Sequence, residues 1–197
     1  MTQTQLIEHI RKSGKLLADD EQIKIAADIL FPLTPSDERA LAGETTTSRQ
    51  RWLKIATADV DRAGDELVIE GVVTANFERN PQFLWQHGMT EEPIHTIGRI
   101  VRLVQTKNAL YALAEYASAD ISPLAGKIFD LDMAGLLPAN SVGFQPIEWE
   151  PNAHGGVRFT KWELIEVSKV ELPCNPFAID DGLPGKRLSL SDAAGLL

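Results

Sequence analysis

The chain has 197 residues, 24% of them charged, a formal net charge of -9 and a pI near 4.9. This acidic balance argues against general binding to DNA or RNA, which needs a basic surface to meet phosphates, and leaves room only for a local basic patch. A hydrophobic content of 44% suits one globular core, and no run approaches the length of a transmembrane helix.

Cys174 is the single cysteine, so neither an internal disulfide nor a cysteine metal cluster can form. His9, His87, His95 and His154 are scattered without the spacing of a zinc site. No metal or organic cofactor is expected. The opening MTQTQLIEHIRKSGK lacks the apolar core of a signal peptide, which points to a cytosolic product.

In chain order, residues 4–12 fit a short amphipathic helix. Residues 20–31 fit a better one, with Asp19 or Asp20 as cap and Pro32 beyond its end. Residues 34–50 are polar, rich in Thr and Ser, and read as a loosely ordered connection. From Trp52 the pattern becomes short alternating runs with β-branched residues: WLKIATADV, ELVIEGVVT, QFLWQH, HTIGRIVRLVQ and NALYALAEYA. A helix is predicted over 121–137, with Pro123 in its first turn and Pro138 past its end. Strands resume at SVGFQPIEWE and VRFTKWELIEVSKVEL, joined by a hairpin turn at PNAHGG. Residues 180–197 are thinly apolar and read as peripheral. The organisation expected is an N-terminal extension over 1–50, one mainly β domain with helices (α+β) over 51–180, and a C-terminal tail over 181–197.

Strand parity selects candidate side chains. Phe83, Trp85 and His87 share one face of QFLWQH, which ends a bulky apolar row on an imidazole. In the last strand Trp162, Leu164, Glu166, Ser168, Val170 and Leu172 share a face, and Glu163, Ile165, Val167, Lys169 and Glu171 share the other. A carboxylate on the more apolar face needs a partner, and a histidine nitrogen would serve Glu166. His87 reads either as a half-buried strand-end histidine or as a general base suited to neutral pH. His95 is its rival, and His9 and His154 read as structural. Ser141 reads either as a turn serine or as a nucleophile, with Gly143 permitting close backbone approach. The Asp59, Asp61 and Asp65 cluster lacks EF-hand spacing and reads as a turn with Asp side chains capping amides.

Taken as an ordered set, DRAGDELVIEGVV, FERNPQFLWQHG, IGRI, NSVGF and WELIEVSKVELPCNPFA resemble the HK97-type prohead (capsid maturation) proteases of tailed phages and prophages. That family is distantly related in fold to the herpesvirus assemblins, and the resemblance covers roughly residues 52–178. It implies an assemblin-like β-barrel surrounded by helices and a serine endopeptidase. The family's histidine falls on His87, its serine on Ser141 and its acidic partner on Glu166, with Glu163 in reserve. It further implies cleavage of a scaffold protein, of the scaffold-like segment of a major capsid protein, or of the protease itself. The setting would be the assembling prohead in the bacterial cytoplasm, with a homodimer as the expected oligomer and no nucleic acid or membrane as partner. Two positions depart from the family pattern. Cys174 stands where alanine is common, as a small buried residue replacing another, and Asn140 precedes the serine where bulkier or glycine-like residues are usual. The competing reading is a non-catalytic structural or scaffolding protein of a phage particle, with a generic β-barrel binding domain well behind both.

Overall fold

A computed structural model describes residues 49–91 and 93–180. The expected helices at 4–12 and 20–31, nearly all of the 34–50 connection, and the 181–197 tail lie outside the described residues.

The described chain is a mixed α+β fold: a curled, open half-barrel sheet with a few helices. Its strands are β1 (Gln50–Thr57), β2 (Glu66–Leu67), β3 (Val72–Val73), β4 (Gln82–Trp85), β5 (Thr96–Gln105), β6 (Ala109–Tyr116), β7 (Asn140–Pro151) and β8 (Val157–Lys169). The hydrogen-bonded order is β1-β6-β5-β4-β8-β2, with β3 and β7 also paired to β8. β7 runs antiparallel along the length of β8, so β2, β3 and β4 share the opposite edge of β8, each parallel to it.

Local chemistry explains most of these elements. The run ELVIEGVVT does not form one strand. Two short strands flank a 3-10 turn at Ile69–Gly71, because the chain is pressed against β8 there. A β-carbon on Gly71 would collide with the Thr160 carbonyl. The single α-helix among the described residues, α1 (Pro123–Met133), starts where Ser122 Oγ accepts the Ala125 N–H at 3.2 Å and Pro123 takes the first turn. The Asp cluster behaves as a turn. Asp61 Oδ1 accepts the amides of Ala63 and Asp65, and Asp65 Oδ1 accepts that of Val157. PNAHGG is the β7–β8 turn, with Asn152 Oδ1 accepting the His154 and Gly156 amides.

The core gathers Leu53, Ile55, Ile69, Phe83, Ile97, Trp162, Leu164 and Val167 between the curled sheet and α1. Fully burying one such side chain contributes about 1.5–3 kcal/mol. Phe83, Tyr116 and Phe129 stack edge to face at 5.0 and 5.2 Å, joining β4, β6 and α1.

Beside this core lies a buried polar network. Tyr116 Oη donates to Asp132 Oδ2 at 2.8 Å, Arg51 Nε lies 3.4 Å from the same oxygen, and Lys169 Nζ lies 3.1 Å from Asp132 Oδ1. Lys169 also donates to Asp180 Oδ2 at 2.7 Å and to Asn140 Oδ1 at 2.9 Å. Asp180 is therefore part of the interior rather than the start of a peripheral tail. Burial pushes its carboxyl above the ordinary value of 3.8, against the opposing pull of Lys169.

Burial, and then the Asp132 carboxylate, hold the Tyr116 phenol well above its ordinary 10.0. A group whose folded pKa is raised gives stability that is complete below the unfolded pKa and is lost as pH rises beyond it. Thermal melts should therefore fall above about pH 10, and less steeply in Tyr116→Phe. At neutral pH that variant should be about 1.5–3 kcal/mol less stable, the cost of a hydrogen bond to a charged group. Parallel slopes in the two proteins would contradict this assignment.

Candidate active site

The site is built on the outer face of the β7–β8 pair where β4 ends. Opposed residues on paired strands share a face. Ser141 faces Ser168, Val142 faces Val167 and Gly143 faces Glu166. The register then slips, because Phe144 faces Leu164 and leaves Ile165 as an extra residue on β8. Gly143 and Phe144 are neighbours on one strand and point to opposite faces. Glu166 and Ser168 therefore lie on the face opposite Trp162 and Leu164, which corrects the parity expected from sequence. The slip sends Val167 and Lys169 inward with the core and turns Glu166 and Ser168 toward Ser141.

His87 reaches that same face by a different irregularity. β4 stops at Trp85, and Gln86, His87 and Gly88 follow with φ of 50, 57 and 69°. The expected continuation of the Phe83 and Trp85 face does not occur. Phe83 pairs with Val167 on the inner face, and the left-handed turn swings the imidazole over the outer one. Left-handed backbone costs a non-glycine residue roughly 1–2 kcal/mol and persists only where surrounding contacts hold it. Two bonds hold this turn: Met89 N–H donates to the Gln86 carbonyl at 2.9 Å, and His87 N–H donates to Ser168 Oγ at 3.1 Å.

The side chains then interlock. His87 Nδ1 lies 2.6 Å from Glu166 Oε1, and Ser168 Oγ donates to Glu166 Oε2 at 2.5 Å. One serine thus anchors both the backbone of the histidine and the carboxylate that meets its ring. The Glu166 side chain is 11% exposed and that of His87 is 29% exposed, so the carboxylate is sheltered and the ring opens to solvent. A carboxylate on Nδ1 selects the tautomer whose Nε2 lone pair is free to accept a proton. Gly143 serves the carboxylate. A β-carbon there would overlap Glu166 Oε1 and lie 3.0 Å from its Cγ, so only glycine leaves room for the side chain.

Ser141 is half-buried, on the same face and directly across from Ser168. Cross-strand partners place their β-carbons about 4.5–5.5 Å apart, which puts Ser141 beside Ser168, the residue that accepts the His87 N–H. Among the described residues, no hydrogen bond joins Ser141 to the imidazole. Asn140, just before it, is fully buried on the inner face.

The chain matches no family model, no curated protein sequence and no solved structure. What the site can do rests on its own geometry.

The rival residues lie elsewhere. Glu163 Oε1 accepts from Asn76 Nδ2 at 2.6 Å, and His95 Nε2 bonds the Thr90 carbonyl at 3.1 Å. His154 lies in the β7–β8 turn, and His9 lies outside the described residues. Cys174 is exposed rather than buried. Partial burial and the adjacent Asp61 raise its thiol above the ordinary 9.0, the wrong direction for a nucleophile. Among the described residues, no group of three or more His, Cys, Asp or Glu is placed to hold a metal ion. No helix among them is long and apolar enough to cross a membrane.

The sequence marks Ser168 and Lys169 only by strand face, and neither they nor the Asn140 side chain carry a role there. Ser168→Ala should cost about 1–3 kcal/mol, the penalty for stranding a largely buried donor, and should loosen the His87 turn. Chemical denaturation with amide exchange at His87 would measure both, and unchanged stability with unchanged exchange would contradict the anchoring role.

Proposed function

We propose that this chain is a serine endopeptidase of the HK97 prohead-protease type, with Ser141 as nucleophile, His87 as general base and Glu166 as its orienting carboxylate. The observation that carries the reading is the 2.6 Å contact between His87 Nδ1 and Glu166 Oε1 on the face where β7 presents Ser141. The ordered motifs NPQFLWQHG, NSVGF and ELIEVSKVELPCNP support the family, and the curled sheet is compatible with an assemblin-like barrel.

In this mechanism His87 Nε2 takes the Ser141 proton as Oγ attacks the scissile carbonyl. Glu166 keeps the proton on Nδ1 and stabilises the imidazolium. The same imidazolium protonates the leaving amine, and water then hydrolyses the acyl-enzyme with His87 again as base. The substrates proposed are a scaffold protein, the scaffold-like segment of the major capsid protein, or the protease's own chain, cut within the assembling prohead by a homodimer. No cofactor takes part in this scheme.

The competing reading is a non-catalytic particle protein built on the same fold. The missing Ser141–His87 hydrogen bond favours it, although such bonds are often loose in a free enzyme and tighten on substrate.

The test is labelling with diisopropyl fluorophosphate followed by peptide mapping. Phosphorylation of Ser141 that is lost in His87→Ala is the expected result. Labelling at another serine, or labelling of Ser141 at an unchanged rate in His87→Ala, would contradict the proposed chemistry. No labelling at all would favour the particle-protein reading.

A further inference from the structure

The site is backed by a second arrangement that the peptidase chemistry does not use. On the outer face Ser141 opposes Ser168. One residue earlier on β7 and one later on β8, Asn140 opposes Lys169, and this pair points inward. Both inner side chains are fully buried. Asn140 Oδ1 accepts from Lys169 Nζ at 2.9 Å, and Asn140 Nδ2 donates to Asp180 Oδ1 at 2.7 Å and to the Lys54 carbonyl at 3.1 Å. All of its side-chain bonds go to groups fixed by other elements.

Asp180 arrives on a strap that leaves β8 and passes the Thr57 end of β1. The strap is pinned by Arg62 to the Pro173 carbonyl and by Asn175 Nδ2 to the Thr57 carbonyl at 3.1 Å. It then lies antiparallel on the outer edge of β7. Asn140 N–H donates to the Ala178 carbonyl at 2.9 Å, and Asp180 N–H donates to the Pro138 carbonyl at 3.0 Å. The residue before the proposed nucleophile is thus gripped by the strap through its backbone and through its side chain.

Two acids and two bases, Asp132, Asp180, Arg51 and Lys169, balance in this interior. Apolar side chains of similar volume would fill the space without the desolvation cost and would often leave the fold as stable or more so. What they would not supply is a set of directional bonds that fixes Asn140 in one orientation.

We infer that Asp180 and Lys169 are positioning residues acting through Asn140, so that the strap ending at Asp180 holds Ser141 in register with His87 and its release would disable the site. This rests on the peptidase reading of Ser141. The strap makes the site conditional on an intact and docked chain as far as residue 180. A cut or a competing strand that freed it would leave Lys169 without Asp180, and Asn140 without two of its bonds.

The test is a double-mutant cycle in the full chain, with Asp180→Ala and Asn140→Ala, reading the rate of Ser141 phosphorylation by diisopropyl fluorophosphate. Each single variant is expected to slow labelling at least about tenfold, and the double variant no more than the worse single, because both act through one contact. Losses that multiply, or an unchanged rate in Asp180→Ala, would overturn the inference while leaving the peptidase reading intact.

Amide exchange on the wild-type chain tests positioning without needing activity or a folded variant. The amide of Lys54, which donates to Asp180 Oδ1 at 3.0 Å, and those of Asn140 and Asp180 should exchange through one shared opening, separate from the far end of β7 near Glu150. Independent exchange of the three would overturn the inference even if Ser141 were never labelled.

Discussion

Glu166→Gln is expected to lower the rate of Ser141 acylation by about 10⁴-fold with the fold retained. The size of the loss follows from the Ser168 hydroxyl. Ser168 Oγ already accepts the His87 N–H and must spend its own proton on an acceptor. In the wild type that acceptor is Glu166 Oε2. In the glutamine variant the amide oxygen is drawn to Ser168, since this serine is fully buried and has no solvent to turn to. The amide nitrogen then faces His87 Nδ1 and donates to it. That forces the ring proton onto Nε2, the nitrogen that has to accept from Ser141. The rate measured with diisopropyl fluorophosphate across pH 6–9 checks this. A loss under tenfold would mean that the carboxylate does not set the tautomer.

Gly143→Ala is expected to slow the same reaction by about 100-fold, although residue 143 carries no side chain. The new methyl group would press into Glu166 Oε1 and stand 3.0 Å from its Cγ. The carboxylate must swing away, and the His87 contact at 2.6 Å is broken. Displacement of a catalytic group by about 1 Å can cost ~100-fold in rate, and overpacking of this kind costs roughly 1–3 kcal/mol in stability. Labelling kinetics and thermal melts on the same preparation separate the two effects. A variant that labels normally would show that Glu166 has another working position.

These two effects rest on features that were unequally legible in the sequence. His87, Ser141 and Glu166 were named from motif resemblance, and a buried carboxylate was expected to seek a histidine. The path by which they meet was not legible. Strict alternation placed His87 beside Phe83 and Trp85, and Glu166 beside Trp162 and Leu164. Both placements were wrong in face, for one physical reason. A period-2 pattern assumes an unbroken strand, and each strand is broken where the site is made. On β4 the break is two non-glycine residues in left-handed backbone, which no local propensity favours and which a hydrogen bond from a distant strand maintains. On β8 it is one extra residue, Ile165, whose signature is only the register of its partner.

The helix over 121–137 was legible because Pro123 marks its first turn, and its end came earlier than expected, at Met133. The β7–β8 hairpin was legible from PNAHGG. Gly143 was read as room for backbone approach, and the structure gives that room to a carboxylate. Lys169 was assigned to a mixed polar face because a buried lysine has no sequence signature. Its burial depends on Asp132 and Asp180, which lie 37 residues before it and 11 after it in the chain. The strap residue Asp180 was illegible for the same reason, standing at the margin of a segment whose composition is thinly apolar.

The central claim is that Ser141 and His87 cleave a particle protein. The most direct measurement is co-expression of the full chain with a candidate capsid or scaffold protein, followed by intact-mass analysis, with Ser141→Ala and His87→Ala in parallel. Defined fragments in the wild type that are absent from both variants are the predicted result, and their masses locate the cleavage site. The same fragments in all three samples would contradict the Ser141–His87 chemistry, and normal particles without fragments in any sample would contradict the peptidase itself.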